Sequence, residues 1–244
     1  TEIYTLSLHD ALPISVWVPA NAAESARNAG YTVVDVIGVI GTHLSELVRR
    51  HAYELYSRQD AKKLLDRVTE ENPKLVEDLV PKTMSLGVVQ KVMQNLLRER
   101  VSIRDAASIL EALSEGGAIT KNPILLTEYV RQSIRRMVVK PYLNPSNELA
   151  VYFLDPSLEQ QLEASVEHGE STSHLNLNPQ RMREILDRIA RAVPSKEMPV
   201  VALVGAGSRY FLRQIAEAVL PNLVVLSHNE VPAGIRVLSL GVMQ

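Results

Sequence analysis

The stretch GYTVVDVIGVIGTHLSELVRRHAYELY, residues 30–56, decides how this part of the chain folds. Its first residues, Tyr31 to Asp35, form a short segment rich in β-branched side chains, which predicts a strand. Thr42 then occupies a predicted helix N-cap, because its hydroxyl can accept a hydrogen bond from a free amide of the first turn. The stretch therefore predicts a strand followed by a helix that runs from Thr42 to Tyr56.

The predicted helix has one apolar face. Its members recur at spacings of three and four residues, as one side of a helix requires; they are Leu44, Leu47, Val48, His51, Ala52 and Leu55. At about 100° per residue, Tyr53 lies almost opposite this face and Tyr56 lies on its flank. We therefore expect the apolar face to pack against a core and the two tyrosine rings to lie outside that contact.

The first fourteen residues, TEIYTLSLHDALPI, match the translation of a widely used short-read sequencing adapter. We interpret residues 1–15 as an adapter-derived scar with no native fold, the alternative being a genuine N-terminal extension. Without Glu2 and Asp10, 26 basic residues face 28 − 2 = 26 acidic residues, so the net charge is zero. This balance indicates no general affinity for nucleic acid or for an acidic membrane.

The composition excludes further classes of protein. There is no cysteine, which excludes a disulfide framework and thiolate zinc sites. No uninterrupted apolar run is long enough to span a bilayer. The composition and length therefore predict a soluble fragment that contains one large domain or several small ones.

Most of the chain predicts helices, and its last third predicts an α/β unit. Ser57 and Asp60 form a capping box, and a further helix follows Ser85 with Gly87 in its first turn. Asn122-Pro123 begins a helix that we expect to end near Lys140-Pro141. Toward the C-terminus, strand and helix patterns alternate, which is typical of a small α/β domain with partly parallel strands.

One enzyme hypothesis depends on the turn Gly205-Ala-Gly207. It follows the predicted strand Val200–Val204 and opens a helix, where glycines let backbone amides approach a pyrophosphate. The third glycine position of that fingerprint holds Tyr210, whose ring would obstruct close packing of helix on strand. We therefore favour a tight strand-to-helix turn without a nucleotide, and we predict no cofactor.

Two other groups of polar residues have competing interpretations. His168 and His174 flank Glu170 in a polar loop, but a third histidine is missing, so we predict no metal site. Arg131, Arg135 and Arg136 lie on the helix that follows Pro123. No aromatic side chains interleave them, so we expect a solvated or interprotomer face and not a phosphate-binding face.

Many short segments, in order along the chain, resemble the export gate family of type III secretion, known as the FHIPEP family. These segments are Val16–Pro19, Gly30–Asp35, Val39–Leu47, Arg58–Asp60, Leu64–Asp66, Pro73–Pro81, Lys91–Leu97, Ile103–Asp105 and Pro221–Glu230. The resemblance is to the cytoplasmic C-terminal domain of the flagellar branch of this family, truncated at its N-terminus.

The resemblance implies an α+β fold with several subdomains, mostly helical. We expect a truncated ferredoxin-like N-terminal α/β part, a central helical part and a small C-terminal α/β subdomain. The implied subdomains are 16–42 with 81–100 for the first, 43–80 for the helical second, 101–178 for the mostly helical third and 179–244 for the C-terminal α/β subdomain.

The resemblance also implies a function that is not enzymatic. It implies a docking platform that binds flagellar export chaperones with their late substrates, contacts other export apparatus components and forms a ring of nine in the full-length protein. That protein would lie at the cytoplasmic face of the bacterial inner membrane, held there by an N-terminal half missing here. The alternatives are an export gate of a virulence injectisome and a nucleotide-binding regulatory enzyme that uses Gly205 and Gly207.

The family's chaperone site, a hydrophobic dimple between the first two subdomains, maps onto Tyr53, Glu54, Tyr56 and Gly87. Tyr56 matches the family pattern. Tyr53 departs from an acidic residue, whose charge Glu54 could supply instead, and Gly87 departs from a hydroxyl residue. Off-core aromatics beside a glycine also predict an exposed apolar patch, which usually indicates a partner. The alternative is that both tyrosines pack under the helix that follows Ser85.

Overall fold

The N-terminal part of the molecule is a small antiparallel sheet beside a long helix. A computed structural model describes residues 2–5, 17–193 and 199–244. Strand β1 (Glu2–Thr5) lies between β2 (Trp17–Pro19) and β3 (Val33–Val34). Glu2–Thr5 thus form a strand within the segment 1–15 that was expected to have no native fold, and the rest of that segment lies outside the described residues. Helices α1 (Ala23–Asn28) and α2 (Val36–Arg50) complete this part.

Helix α2 begins earlier than its sequence suggests. Its N-cap is Asp35, whose carboxylate accepts a hydrogen bond from the Gly38 amide at 2.7 Å. The prediction of Thr42 as N-cap is wrong, because an aspartate seven residues earlier already caps the first turn. Gly38 and Gly41, residues of low helix propensity, lie within the first turns of α2. A Cβ on Gly38 would lie 2.6 Å from Val34 Cγ1, so the close approach of β3 requires glycine there.

The apolar face of α2 does not enter a core, which contradicts the expectation from its periodicity. The helix has no buried residue. The side chains of Ile37 and Leu44 are 79% and 58% exposed. The helix also ends at Arg50, so the predicted single helix to Tyr56 is two helices with His51 between them.

The central part of the chain is a helical body around one large core. Its helices are α3 (Ala52–Leu55), α4 (Arg58–Glu71), α5 (Pro73–Glu77), α6 (Leu86–Arg98), α7 (Ala106–Gly117), α8 (Pro123–Ser133) and α9 (Arg135–Val139). The capping box of Ser57 and Asp60 at the start of α4 is confirmed. The predicted helix from Pro123 to Lys140 is broken at Ile134, where the backbone leaves helical geometry between α8 and α9.

The C-terminal part is an α/β unit with a four-stranded parallel sheet. Its elements are β4 (Glu148–Leu154), α10 (Pro156–Ala164), the hairpin of β5 (Val166–His168) and β6 (Ser173–Leu175), α11 (Pro179–Ala192), β7 (Val200–Val204), α12 (Ala206–Ala216), β8 (Leu223–Ser227) and β9 (Arg236–Met243).

The strand order of this sheet, β8-β7-β4-β9, moves the predicted subdomain boundary. Strand β4 pairs with both β7 and β9, yet it belongs to the range 101–178 that was assigned to the third subdomain. A boundary at residue 179 would separate β4 from its two partner strands. The α/β unit therefore begins near residue 148, and the sheet is fully parallel where partly parallel strands were expected.

A buried network of ion pairs joins the helical body to the α/β unit. Arg209 of α12 binds Glu99 and Glu128, each with an N–O distance of 2.5 Å. Arg131 of α8 binds Glu99 at 3.2 Å and Glu230 at 2.5 Å. Arg131 is only 2% exposed, so the prediction of a solvated face is wrong for Arg131, although Arg135 and Arg136 are exposed.

Candidate functional site

The predicted docking residues belong to the short helix α3 and to α6, which packs against it. At the break between α2 and α3, the His51 ring nitrogen Nδ1 lies 2.9 Å from Glu54 Oε1. This bond with His51 lowers the pKa of Glu54, which is exposed. Glu54 therefore carries a negative charge on the surface of α3 at neutral pH.

Tyr53 lies over the C-terminal end of α6. The guanidinium carbon of Arg98 is 5.3 Å from the centre of the Tyr53 ring, a cation–π arrangement. Arg98 also binds Glu217, with Nη2 and Oε2 2.6 Å apart. The hydrogen bond to the Glu54 carboxylate raises the pKa of Tyr53. These contacts hold a partly exposed aromatic ring in a fixed position.

Tyr56 is placed differently, because its ring packs against the large helical core. Burial raises the pKa of Tyr56 to about 12, and among the described residues its buried hydroxyl has no hydrogen-bond partner. Its carbonyl accepts hydrogen bonds from Gln90 and Gln94 of α6, at 3.3 and 3.0 Å. The expectation that neither tyrosine is part of a core contact is therefore wrong for Tyr56.

Gly87 lies in the first turn of α6 and is partly buried. A Cβ added there would lie 3.2 Å from Nη2 of Arg58 and 3.7 Å from the Ser85 hydroxyl. The space beside this glycine is therefore bordered by the end of a flexible arginine side chain, which can move aside.

The four predicted residues form one elongated surface. Tyr53 lies beside Arg98 at one end of α6, and Gly87 lies at the other end. Eleven residues of helix separate these positions, which corresponds to about 16 Å along the axis. Tyr56 lies between them, beside Gln90 and Gln94. We call the surface formed by Tyr53, Glu54, Tyr56 and Gly87 the α3–α6 surface; its length fits an extended contact better than a compact pocket.

The turn at Gly205 is filled by a side chain of the protein itself. The Glu159 carboxylate accepts a hydrogen bond from the Gly205 amide and lies 3.4 Å from the Ser208 hydroxyl. A Cβ on Gly205 would lie 2.7 Å from Glu163 Oε1 and 2.8 Å from Glu159 Oε1. A carboxylate therefore occupies the position at the helix N-terminus that a phosphate would need. This geometry favours the structural turn over a nucleotide site.

The histidines of the polar loop lie on the β5–β6 hairpin. His168 Nδ1 lies 2.8 Å from the Ser173 hydroxyl, and His174 pairs in register with Glu167. Within residues 2–5, 17–193 and 199–244, no three histidines or carboxylates group closely enough to hold a metal ion.

The buried ion network is the feature that sequence reasoning missed. Arg209 binds partners 81 and 110 positions away, and Arg131 binds Glu230 across 99 positions. Burial would raise the pKa of Glu99, but Arg209 and Arg131 outweigh it and lower this pKa to about 2. For Glu128 burial outweighs Arg209, and the pKa is raised. No local spacing in the sequence could indicate pairs this distant.

Comparisons with known proteins define the class of molecule. The FHIPEP family matches residues 10–236, so the chain belongs to this family. The flagellar biosynthesis protein FlhA of Bacillus subtilis is 34% identical over 230 residues, which cover 93% of this chain and 34% of that protein. The chain thus spans about a third of the length of this relative.

Solved structures of related proteins share the fold. The CdsV protein of Chlamydia pneumoniae matches with a TM-score of 0.90 and 26% identity, covering all of this chain and 75% of that one. The nonameric EscV cytosolic domain from the type III secretion system matches with a TM-score of 0.81 and 25% identity, covering 100% of this chain and 76% of that one. The α+β fold is that of type III export gate domains.

Proposed function

We propose that this chain is part of the docking platform of the flagellar type III export gate. In this proposal it binds export chaperones that carry late substrates, and it takes part in ordered protein secretion without catalysing a reaction. The α3–α6 surface is the proposed docking site. The observation that carries the proposal is the fixed, partly exposed ring of Tyr53 beside the acidic Glu54, on a chain that belongs to the FHIPEP family.

The chemistry of the α3–α6 surface supports a protein partner. Aromatic rings held rigidly lose little conformational entropy on binding, and they are common anchors of protein interfaces. The Arg98 guanidinium fixes the Tyr53 ring, while Glu54 supplies a charge at its edge. The space beside Gly87 can accept a partner side chain when Arg58 moves.

The flagellar branch is favoured over a virulence injectisome by the degree of identity. The flagellar proteins of Bacillus subtilis and Escherichia coli are 34% and 39% identical over about nine-tenths of this chain. The injectisome gate remains the second candidate, because the EscV domain belongs to a type III secretion system. The two candidates differ in the chaperones that they would bind.

The proposal includes assembly and location. By analogy with the nonameric EscV domain, the full-length protein would form a ring of nine and contact other export apparatus components. It would lie at the cytoplasmic face of the inner membrane. Among the described residues, no helix combines the length and apolar character that a membrane span requires.

Binding of purified flagellar chaperone–substrate complexes, measured by isothermal titration calorimetry, tests the proposal. Tyr53 is the best position to change, because its ring is partly exposed and its removal should leave the core intact. We expect Tyr53→Ala to weaken binding by about tenfold or more, as loss of an aromatic anchor does.

A matched control separates docking from a general loss of apolar surface. Ile119 is 76% exposed and lies between α7 and α8, so Ile119→Ala should leave the affinity unchanged. Circular dichroism should show both variants folded. Equal affinity of Tyr53→Ala and the unaltered chain would remove the α3–α6 surface from the docking role. Binding of injectisome chaperones alone would favour the second candidate.

A further inference from the structure

A cavity of about 100 Å³ lies where the helical body meets the C-terminal sheet. Residues after the end of α6, residues of α8 and α9, and strand β8 form its walls. It is lined by three arginines, Arg100, Arg131 and Arg213, and by the ring of Tyr142. Arg100 is 45% exposed and Arg131 only 2%, so the cavity extends from the surface into the interior.

Arg213 brings an unused donor to this cavity. Its Nη1 group is buried and, within the described part of the chain, has no hydrogen-bond partner. Its Nη2 group donates a long hydrogen bond to the Pro221 carbonyl, at 3.5 Å. A buried donor without an acceptor is unfavourable, because the group has lost its hydrogen bonds to water. The cavity therefore lacks an acceptor beside Arg213.

Of the three arginines that line the cavity, Arg213 is the one without an ion pair to a carboxylate in the described part of the chain, because Arg100 binds Glu46 and Arg131 binds Glu99 and Glu230. Glu99 is the acidic side chain among the lining residues. That carboxylate is already shared between Arg131 and Arg209. Burial lowers the pKa of Arg213 and, together with the charges of Arg100 and Arg209, outweighs the nearby carboxylates of Glu99 and Glu217, which raise it.

We propose that this cavity is a binding site for a small oxyanion, a phosphate or a carboxylate group, held by Arg213 and Arg100. An oxyanion supplies several acceptor oxygens to guanidinium donors and would also pair with the charge of Arg213. Water could accept the Nη1 hydrogen bond but would leave the charge uncompensated. The cavity has room for more than one water-sized group, as a tetrahedral or planar oxyanion requires.

Titration of the full chain with inorganic phosphate, acetate and chloride, followed by calorimetry in a low-salt buffer, tests this site. We expect saturable binding of phosphate or acetate and weaker binding of chloride. A preference for phosphate would indicate a phosphate group, and a preference for acetate would indicate the carboxylate of a peptide. Arg213→Gln should weaken the binding about tenfold or more, as loss of a charged hydrogen-bond donor does.

Two further variants make the result decisive. Arg100→Gln removes a charge from the exposed mouth of the cavity, where the fold does not depend on it, and should also weaken binding. Arg183→Gln removes one charge from the exposed face of α11 and should leave binding unchanged. Absence of saturable binding, equal affinity for chloride, or equal weakening in all three variants would overturn the proposal.

Discussion

Helices α2 and α12 are both amphipathic, yet only one of them has a buried face. Helix α12 buries Phe211, Leu212 and Ala216 as well as the charged Arg209. Helix α2 buries no residue, and its Leu44 is 58% exposed. Periodicity shows which face of a helix is apolar, but it does not show whether another element covers that face.

The difference follows from what surrounds each helix. Helix α12 packs on strand β8 and against α8, α10 and α11, so it is covered on several sides. Helix α2 packs mainly on strand β1 and the short helix α3. Stability should therefore depend strongly on side chains of α12 and weakly on those of α2. Substitutions in the two helices and in their partners test that contrast.

Replacement of Arg209 should lower the free energy of unfolding more than any other substitution proposed here. Arg209→Met leaves Glu99 and Glu128 in the interior without their main partner, and removing one member of a buried ion pair costs about 3–5 kcal/mol. Urea denaturation measures the loss. Arg236→Gln is the control, because Arg236 is 76% exposed and its pair with Glu148 should contribute less than about 1 kcal/mol. Equal losses of stability in Arg209→Met and Arg236→Gln would show that burial of the ion network is unimportant for stability.

The same substitution in the two helices compares them directly. Leu212→Ala removes a fully buried side chain and should lower the free energy of unfolding by about 2–5 kcal/mol. Leu44→Ala removes an exposed one and should change it by less than about 0.5 kcal/mol. Thermal and urea unfolding measure both. A large cost at Leu44 would show that the face of α2 is covered in solution.

The pH dependence of stability should come from α12's partners and not from α2. Glu99 has a pKa lowered to about 2, so its stabilisation is complete above its ordinary pKa of 4.5 and is lost as the pH falls toward 2. The raised pKa of Glu128 has the opposite effect on stability. As the pH falls, protonation removes a negative charge whose burial is unfavourable.

We therefore expect a net loss on the order of 1–2 kcal/mol between about pH 4.5 and pH 2. Urea denaturation across this range measures it. Glu99→Gln should flatten the pH profile even if it lowers stability at neutral pH. An unchanged slope in that variant would assign the acid sensitivity to other carboxylates.

The sequence predicted local features well and distant ones poorly. The capping box of Ser57 and Asp60 was predictable because it depends on residues three apart. The position of β4 between β7 and β9 was not, because parallel pairing joins strands far apart in the chain. Arg131 was assigned to a solvated face for the same reason, since its partners Glu99 and Glu230 come from distant segments.

The α3–α6 surface was predictable in part. Family resemblance indicated its residues, and helical spacing predicted correctly that Tyr53 lies outside a core. Spacing alone could not predict that α2 would end at Arg50. The break after that residue starts a new helix, and Tyr56, which caps its C-terminal end, contacts the core.

Removal of the Tyr56 hydroxyl should have the smallest effect on stability. It tests the packing at the end of α3, next to the exposed helix α2. The hydroxyl is buried without a partner among the described residues, so Tyr56→Phe keeps the ring contact and removes an unsatisfied group. We expect a gain in stability of up to about 1 kcal/mol. Tyr53→Phe, the matched control three residues earlier, should be neutral because its hydroxyl bonds the exposed Glu54 carboxylate. A loss of more than about 1 kcal/mol in Tyr56→Phe would show that ordered water serves this hydroxyl. The core would then contain ordered water beside Tyr56, in contrast to the core around α12, where Phe211 and Leu212 are almost fully buried.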